Sequence, residues 1–346
     1  MKQLLSVATL FVLLVACSSK KGPDVSNIKV EFKVVRFEQD FFALDTNNLE
    51  KGLKDLAQKY PLFLNDYLIQ ILGLPPVNDS SGQALMAIKQ FISDYKPVKD
   101  SSDKIFASTK KIEEEFIEAL KHLKYYFPTY QAPKEWLTYI GPMDAFVQSG
   151  MGTYSDIITK SGLATGLQLH LGANFSLYNS QMGLALYPNY ISRKFSPETI
   201  VVNSMKNIID EIQPDNSKGF VLVEQMIEKG KRLYVLDQLM PDAADTLKIG
   251  YTSSQLKGCY ENEGRIWNFF VTNNYLLNSD PGIVHNYMSD GPKTDEFGQG
   301  APGFIGLFVG WQIVKKYMDD HKEMSLTDLL KLNPRKLFED SKYRPK

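Results

Sequence analysis

Cysteine is almost absent from this chain: 346 residues carry two, Cys17 and Cys259. Cys17 closes an N-terminal apolar stretch, so the body keeps Cys259 alone and no intrachain disulfide can staple it. Cys259 falls in a helical pattern and reads as a small buried apolar residue rather than a reactive thiol. Charge surplus is absent too. Lys and Arg total 39 against 40 Asp and Glu, a net charge of -1, which excludes bulk electrostatic attraction to nucleic acid or anionic lipid. Histidine is scarce: His122, His170, His285 and His321 are scattered, and none is followed by the glutamate of an HExxH zinc motif. No GxSxG elbow marks a serine hydrolase. No apolar run reaches the roughly 20 residues of a membrane span. No linker divides the chain and no fixed-period repeat occurs, which favours one domain.

Apolar and aromatic residues, by contrast, are plentiful, at 43% and 12%. This excludes a disordered chain and supplies a large core. The N-terminus carries a specific pattern. Lys2 provides a positive n-region, Leu4 to Val15 an apolar h-region, and Leu14-Val15-Ala16-Cys17 the lipobox of a bacterial lipoprotein. Residues 1–16 are expected to be removed, leaving Cys17 acylated. Each buried methylene contributes about 0.8 kcal/mol, so several chains anchor stably. Residues 17–27, with Gly22-Pro23, read as a tether, and 28–346 as the folded domain.

Ile28, Val30, Phe32 and Val34 alternate with charged residues, predicting a strand in a sheet with one buried face. Helical spacing then takes over. Leu49 to Tyr60 forms one helix, Leu64 to Ile71 a second, and Ser81 to Tyr95 a third. The longest expected helix is Ser102 to Phe127, with the charges from Lys110 to Glu115 on its solvent face. Between Tyr130 and Tyr190 the spacing fades. Trp136 to Ile140 and Leu167 to Leu171 read as strands, and Tyr178 to Tyr190 as an aromatic-rich loop.

Ser192 to Pro241 reads as a central helix pair. Ser196 and Pro197 open the first helix, whose stripe is Val201, Met205, Ile208 and Ile212. The second starts near Gly219 and buries Phe220, Val223, Ile227 and Tyr234. Gly230 inside it costs ~1 kcal/mol against alanine, which points to close approach of another backbone. Farther on, Thr252-Ser253-Ser254-Gln255 fits a capping box opening a helix through Phe270. Further helices start after Gly303 and at Ser325.

Few constellations could carry chemistry. Gly298-Gln299-Gly300-Ala301-Pro302-Gly303 matches GxGxxG, but the preceding Gly291-Pro292 segment is loop, so it reads as the start of a helix. Glu224 and Glu228 share a helical face, yet Arg232 one turn on makes an ion pair the simpler account. The tyrosines from 178 to 190 could stack on a glycan or pack against the sheet.

Several separated motifs resemble the gliding-motility lipoprotein family GldB of Bacteroidetes. They are Arg36 to Asp40, Gly166 to Ala173, Tyr187 to Ile191, Phe195 to Glu198, Met226 to Asp237, Ile249 to Thr252, Asp290 to Pro292, and Gly310 to Val314. Gln168 departs from the acidic residue expected in that family. The resemblance implies a membrane-anchored component of the gliding apparatus, coupled to a secretion system, with no established enzymatic activity. The family is also distantly similar to predicted zinc peptidases. Their HExxH slots correspond here to Asn203-Ser204-Met205-Lys206-Asn207, and a carboxylate slot to Lys229. Neutral amides bind zinc poorly and an ammonium repels it.

The resulting expectation is a mainly helical α+β domain, a small mixed sheet on a helical core with a zincin-like arrangement. It is expected to be non-catalytic and without cofactor or metal. Ser18 in place of aspartate after Cys17, and no acidic run, favour the outer membrane facing the periplasm. Expected partners are the membrane, through the lipid, and other motility or secretion proteins of the envelope. A divergent metallopeptidase and a glycan- or solute-binding lipoprotein are the competing readings.

Overall fold

A computed structural model describes residues 22–75, 82–144 and 155–346. The chain opens with β1 (Lys33–Arg36), α1 (Phe37–Phe42), α2 (Leu49–Lys59) and α3 (Phe63–Asp66), the last running into a π-helical turn at Tyr67–Ile71. Two longer helices follow, α4 (Gln83–Ile105) and α5 (Lys110–Tyr126), then the strands β2 (Glu135–Tyr139), β3 (Asp156–Thr159) and β4 (Gly162–Gly166). Short helices α6 (Gln181–Leu186) and α7 (Asn189–Ser192) lead to the central pair, α8 (Ile200–Ile212) and α9 (Leu222–Leu239). The remainder is α10 (Asp245–Ile249), α11 (Ser253–Glu261), α12 (Glu263–Thr272), α13 (Pro281–Met288), α14 (Ile305–Asp320), α15 (Leu326–Lys331) and α16 (Pro334–Ser341). No helix among the described residues is long and apolar enough to cross a membrane.

The architecture is mainly helical α+β with one small mixed sheet, ordered β1-β2-β4-β3. β1 and β4 flank β2 in parallel, while β3 pairs antiparallel with β4. The sheet is buried on both faces, not on one. Trp136 and Leu163 point into the large helical core, whereas Leu137, Tyr139 and Ala164 point into a second core built from α1 to α4. Parallel neighbours demand cover on both sides, and this sheet has it.

Several boundaries differ from the sequence expectation. The first strand starts at Lys33 rather than Ile28, because its partner β2 begins only at Glu135. Leu167 to Leu171 is not a strand. The ladder ends at Gly166, held by Ser155, and Leu167–Leu169 is a 3-10 turn. Its leucines alternate with Gln168, but Gln168 is buried as well, so no solvent face exists to make the alternation a strand signal. The 102–127 helix is two helices. α4 runs through Pro97 to Ile105, and Phe106 then turns inward to 1% exposure, separating it from α5. The helix opened by Thr252 likewise breaks at Asn262. Of the expected tether, Val25 is buried, so the packed body begins before residue 28.

The capping box at Thr252 and Gln255 is present, as is the cap of Ser325 on the amide of Asp328. The Arg36-to-Asp40 motif ties the two cores together. Buried Glu38 accepts from Arg36 Nε at 2.6 Å and from the Thr138 hydroxyl, and Arg36 Nη1 donates to the Phe106 carbonyl at 2.9 Å. Gly230 meets Gly310 of α14 backbone to backbone, as its unfavourable place in a helix predicts.

Candidate functional site

The site is built on α8 and α9. Ser196 is extended and Pro197–Thr199 forms a 3-10 turn before α8 starts at Ile200, three residues later than the cap pattern suggests. α8 then packs against the edge strand β3, and this contact decides what its amides do. Asn203 Nδ2 donates to Asp156 Oδ2 at 2.9 Å, and Asn207 Nδ2 to the Asp156 carbonyl at 2.7 Å. Ser204 is buried.

Asp156 is the centre of a buried polar cluster. Its Oδ1 accepts from Thr165 Oγ1 at 2.8 Å, and Trp136 Nε1 donates in turn to Thr165 Oγ1 at 2.9 Å. His170 Nε2 lies 3.1 Å from Asp156 Oδ2, and its Nδ1 donates to the Ser196 carbonyl at 3.0 Å. Both ring nitrogens therefore face acceptors. Burial alone would lower the His170 pKa. The charge and hydrogen bond of Asp156, together with the Ser196 carbonyl, outweigh it and raise the pKa. His170 thus ties the segment that enters α8, at Ser196, to the sheet edge at Asp156.

Lys229 sits elsewhere on the same helix pair. Its Nζ pairs with Asp215 at 2.7 Å, and this lysine lines a 560 Å³ cavity together with Asn203 and Lys206. That volume is in the range of small-molecule sites. The far wall comes from Ser289 to Gly291 and Pro302 to Phe304. Phe304 is held at φ +59°, a left-handed conformation unusual for a bulky residue, with its carbonyl accepting from Tyr251 Oη at 2.9 Å. Any Cβ on Gly303 would lie 2.4 Å from the Gly291 carbonyl oxygen, so the last glycine of the GxGxxG run serves wall packing. The run follows a 3-10 turn, Asp295–Phe297, and not a strand.

The cavity gathers residues from motifs far apart in sequence: Tyr190, Ser196, Lys229, Tyr251 and Asp290 all line it. Four cations, Arg193, Lys194, Lys206 and Lys229, stand there against one acid, Asp290. Lys194 pairs with Asp290 at 2.5 Å, and Arg193 Nη2 donates to the Gly250 carbonyl at 2.8 Å. Sequence reasoning gave Lys206 no role of its own and did not single out Asp156. A lysine on the buried side of an otherwise apolar and amide-bearing helix was the available signal for Lys206. Nothing local marks Asp156.

The remaining candidates are structural. Glu224 pairs with Arg335 at 2.7 Å, and Glu228 with Lys231 at 2.5 Å and Arg232 at 3.2 Å. Tyr178 and Tyr187 are buried, their hydroxyls donating to the carbonyls of Gln168 and Met143, so neither offers a stacking face. Phe220 is exposed at 41% rather than buried, because α9 starts only at Leu222. Cys259 is buried, and burial pushes its thiol up to about 12. Gln168 accepts from the Gly141 amide at 2.9 Å, while its own amide nitrogen has no acceptor among the described residues. Among the described residues no group of three or more His, Cys, Asp or Glu could hold a metal ion. Cys17 lies outside the described residues.

A comparison with curated proteins returned no match, and a comparison with solved structures returned none either. The family model described as gliding motility protein GldB matches residues 18–345, nearly the whole chain. The chain therefore belongs to the GldB family, and its role is in gliding motility.

Proposed function

We propose that this protein is a non-catalytic lipoprotein of the gliding machinery, anchored through acylated Cys17 in the outer membrane and facing the periplasm. It acts there through contacts with other envelope proteins. Its helix pair is a scaffold of zinc-peptidase type in which the metal slots have been converted to internal tethers. One observation carries this reading: Asn203 and Asn207 direct both amides at Asp156, and Lys229 directs its ammonium at Asp215. Groups engaged in this way anchor α8 and α9, the amides through their N–H donors and Lys229 through an ammonium, which has no lone pair to offer a cation.

Metal analysis of the purified full chain separates this reading from a divergent metallopeptidase. Less than one-tenth zinc per chain is expected after purification from zinc-containing medium, and stoichiometric zinc would sink the proposal. The slot assignment has its own test. Asn203→His, Asn207→His and Lys229→Glu together supply two imidazoles and a carboxylate, leaving buried Ser204 untouched. This variant should gain zinc affinity, read by a competing chromophoric chelator. A well-folded triple variant that ignores zinc would count against the slots.

A further inference from the structure

Buried lysines and arginines among the described residues follow a rule with one exception. Lys99 holds Asp103 at 2.6 Å, Lys231 holds Glu228 at 2.5 Å, Arg232 holds Asp210 at 2.9 Å and Lys248 holds Asp237 at 2.7 Å. Lys206 is as buried as Lys99, with nine-tenths of its surface covered, and makes no hydrogen bond or ion pair with any described residue. A buried charge left unpaired is expensive, by several kcal/mol in real proteins. Lys206 lines the 560 Å³ cavity, and the two acids whose charge reaches it each pair with another cation. Asp290 is engaged by Lys194 and Asp210 by Arg232.

We propose that this cavity binds the phosphate group of a small phosphorylated ligand, with Lys206 as its ion-pair partner. Burial and the like charge of Lys194 pull the Lys206 pKa down to about 8, so the ammonium is still mostly protonated at neutral pH. A lysine offers a compact point charge with three rotatable donors, which suits the tetrahedral oxygens of phosphate. The three other lining cations raise the potential at the same place. The volume exceeds that of a bare phosphate, and Tyr190, Tyr251 and Phe304 offer apolar surface to the body of the ligand. The same chemistry occurs in a soluble phosphoester and in the headgroup of an anionic lipid.

Isothermal titration calorimetry on the purified full chain tests this with inorganic phosphate, glycerol 3-phosphate and succinate, alongside flotation with phosphatidylglycerol vesicles. Saturable binding of glycerol 3-phosphate is expected, at least tenfold tighter than succinate and accompanied by a rise in Tm. Lys206→Met should weaken that binding at least tenfold while leaving the ligand-free Tm unchanged or higher, since it removes an unpaired buried charge. Lys206-dependent flotation would identify a lipid headgroup as the source. Calorimetric binding without such flotation would identify a soluble phosphoester. Absence of saturable binding to either phosphate probe, a preference for succinate, or a folded Lys206→Met variant that binds as the parent does would overturn the proposal. These outcomes are independent of zinc content, so the site and the non-catalytic reading stand or fall separately.

Discussion

Gly310→Ala is expected to be among the most damaging single-methyl changes in this protein. An ideal Cβ there would lie 1.7 Å from the Met226 carbonyl oxygen and 2.3 Å from its carbon. The clash is reciprocal, because a Cβ on Gly230 would lie 2.3 Å from the Gly310 carbonyl. Both obstacles are helix backbone, which no rotamer change can move aside. α9 and α14 would have to separate along their crossing, loosening fully buried Leu233, Leu236, Trp311 and Val314. The Trp311 indole on α14 donates to Asp237 on α9 at 2.7 Å, so a polar contact across the same interface would loosen as well. Overpacking typically costs about 1–3 kcal/mol, and a backbone-to-backbone clash belongs at or above the top of that range. Helix propensity acts in the opposite direction but contributes only ~1 kcal/mol. Denaturant titration of Gly310→Ala and Gly230→Ala should show a loss of roughly 3 kcal/mol or more, or no soluble protein. Gly258→Ala is the control. It lies inside α11 with open space around its Cβ position and should be neutral or stabilising by up to about 1 kcal/mol. Equal behaviour of the three variants would remove the packing explanation.

Asp156 should be the second most sensitive position, through charge rather than volume. Asp156→Ala deletes the acceptor of Thr165, Asn203 and His170 at once. It leaves buried His170 without its acidic partner, and removing one partner of a buried pair costs about 3–5 kcal/mol. Asp156→Asn preserves shape and isolates the electrostatics. In the parent, His170 has a raised pKa, so its stabilising contribution is fully present below its ordinary value of 6.5. That contribution is lost as pH rises through the folded value. With the charge gone, burial becomes the dominant influence and depresses the pKa. The His170 contribution then changes sign, and stability falls as pH drops below 6.5. The difference in unfolding free energy between parent and Asp156→Asn should therefore be largest at acid pH and shrink toward alkaline pH. A difference independent of pH would show that His170 is not an imidazolium in the folded protein.

The helix pair shows how far sequence reasoning reaches. The stripe Val201, Met205, Ile208 and the misplaced Gly230 announce α8, α9 and a close backbone neighbour, because these are consequences of helical period and of glycine's cost in a helix. Errors gathered where a segment's partner decides its state. Leu167 to Leu171 alternates like a strand but has no solvent face, and Pro97 is tolerated inside α4 while Phe106, an ordinary apolar residue, ends it.

The sequence by itself determined the helix caps at Thr252 and Ser325, most helix positions, the lipobox pattern at Cys17 and the membership that its separated motifs imply. All of these are properties of residue type and short spacing. Only the tertiary structure decided that Asn203 and Asn207 meet Asp156, 47 and 51 residues away, and that His170 completes the cluster. It also decided that Lys206, one of several lysines in the chain's middle, is the buried one left without an acid. The reason is physical: a side chain's partner depends on which strand edge and which helix face pack together, and no local pattern of residues encodes that.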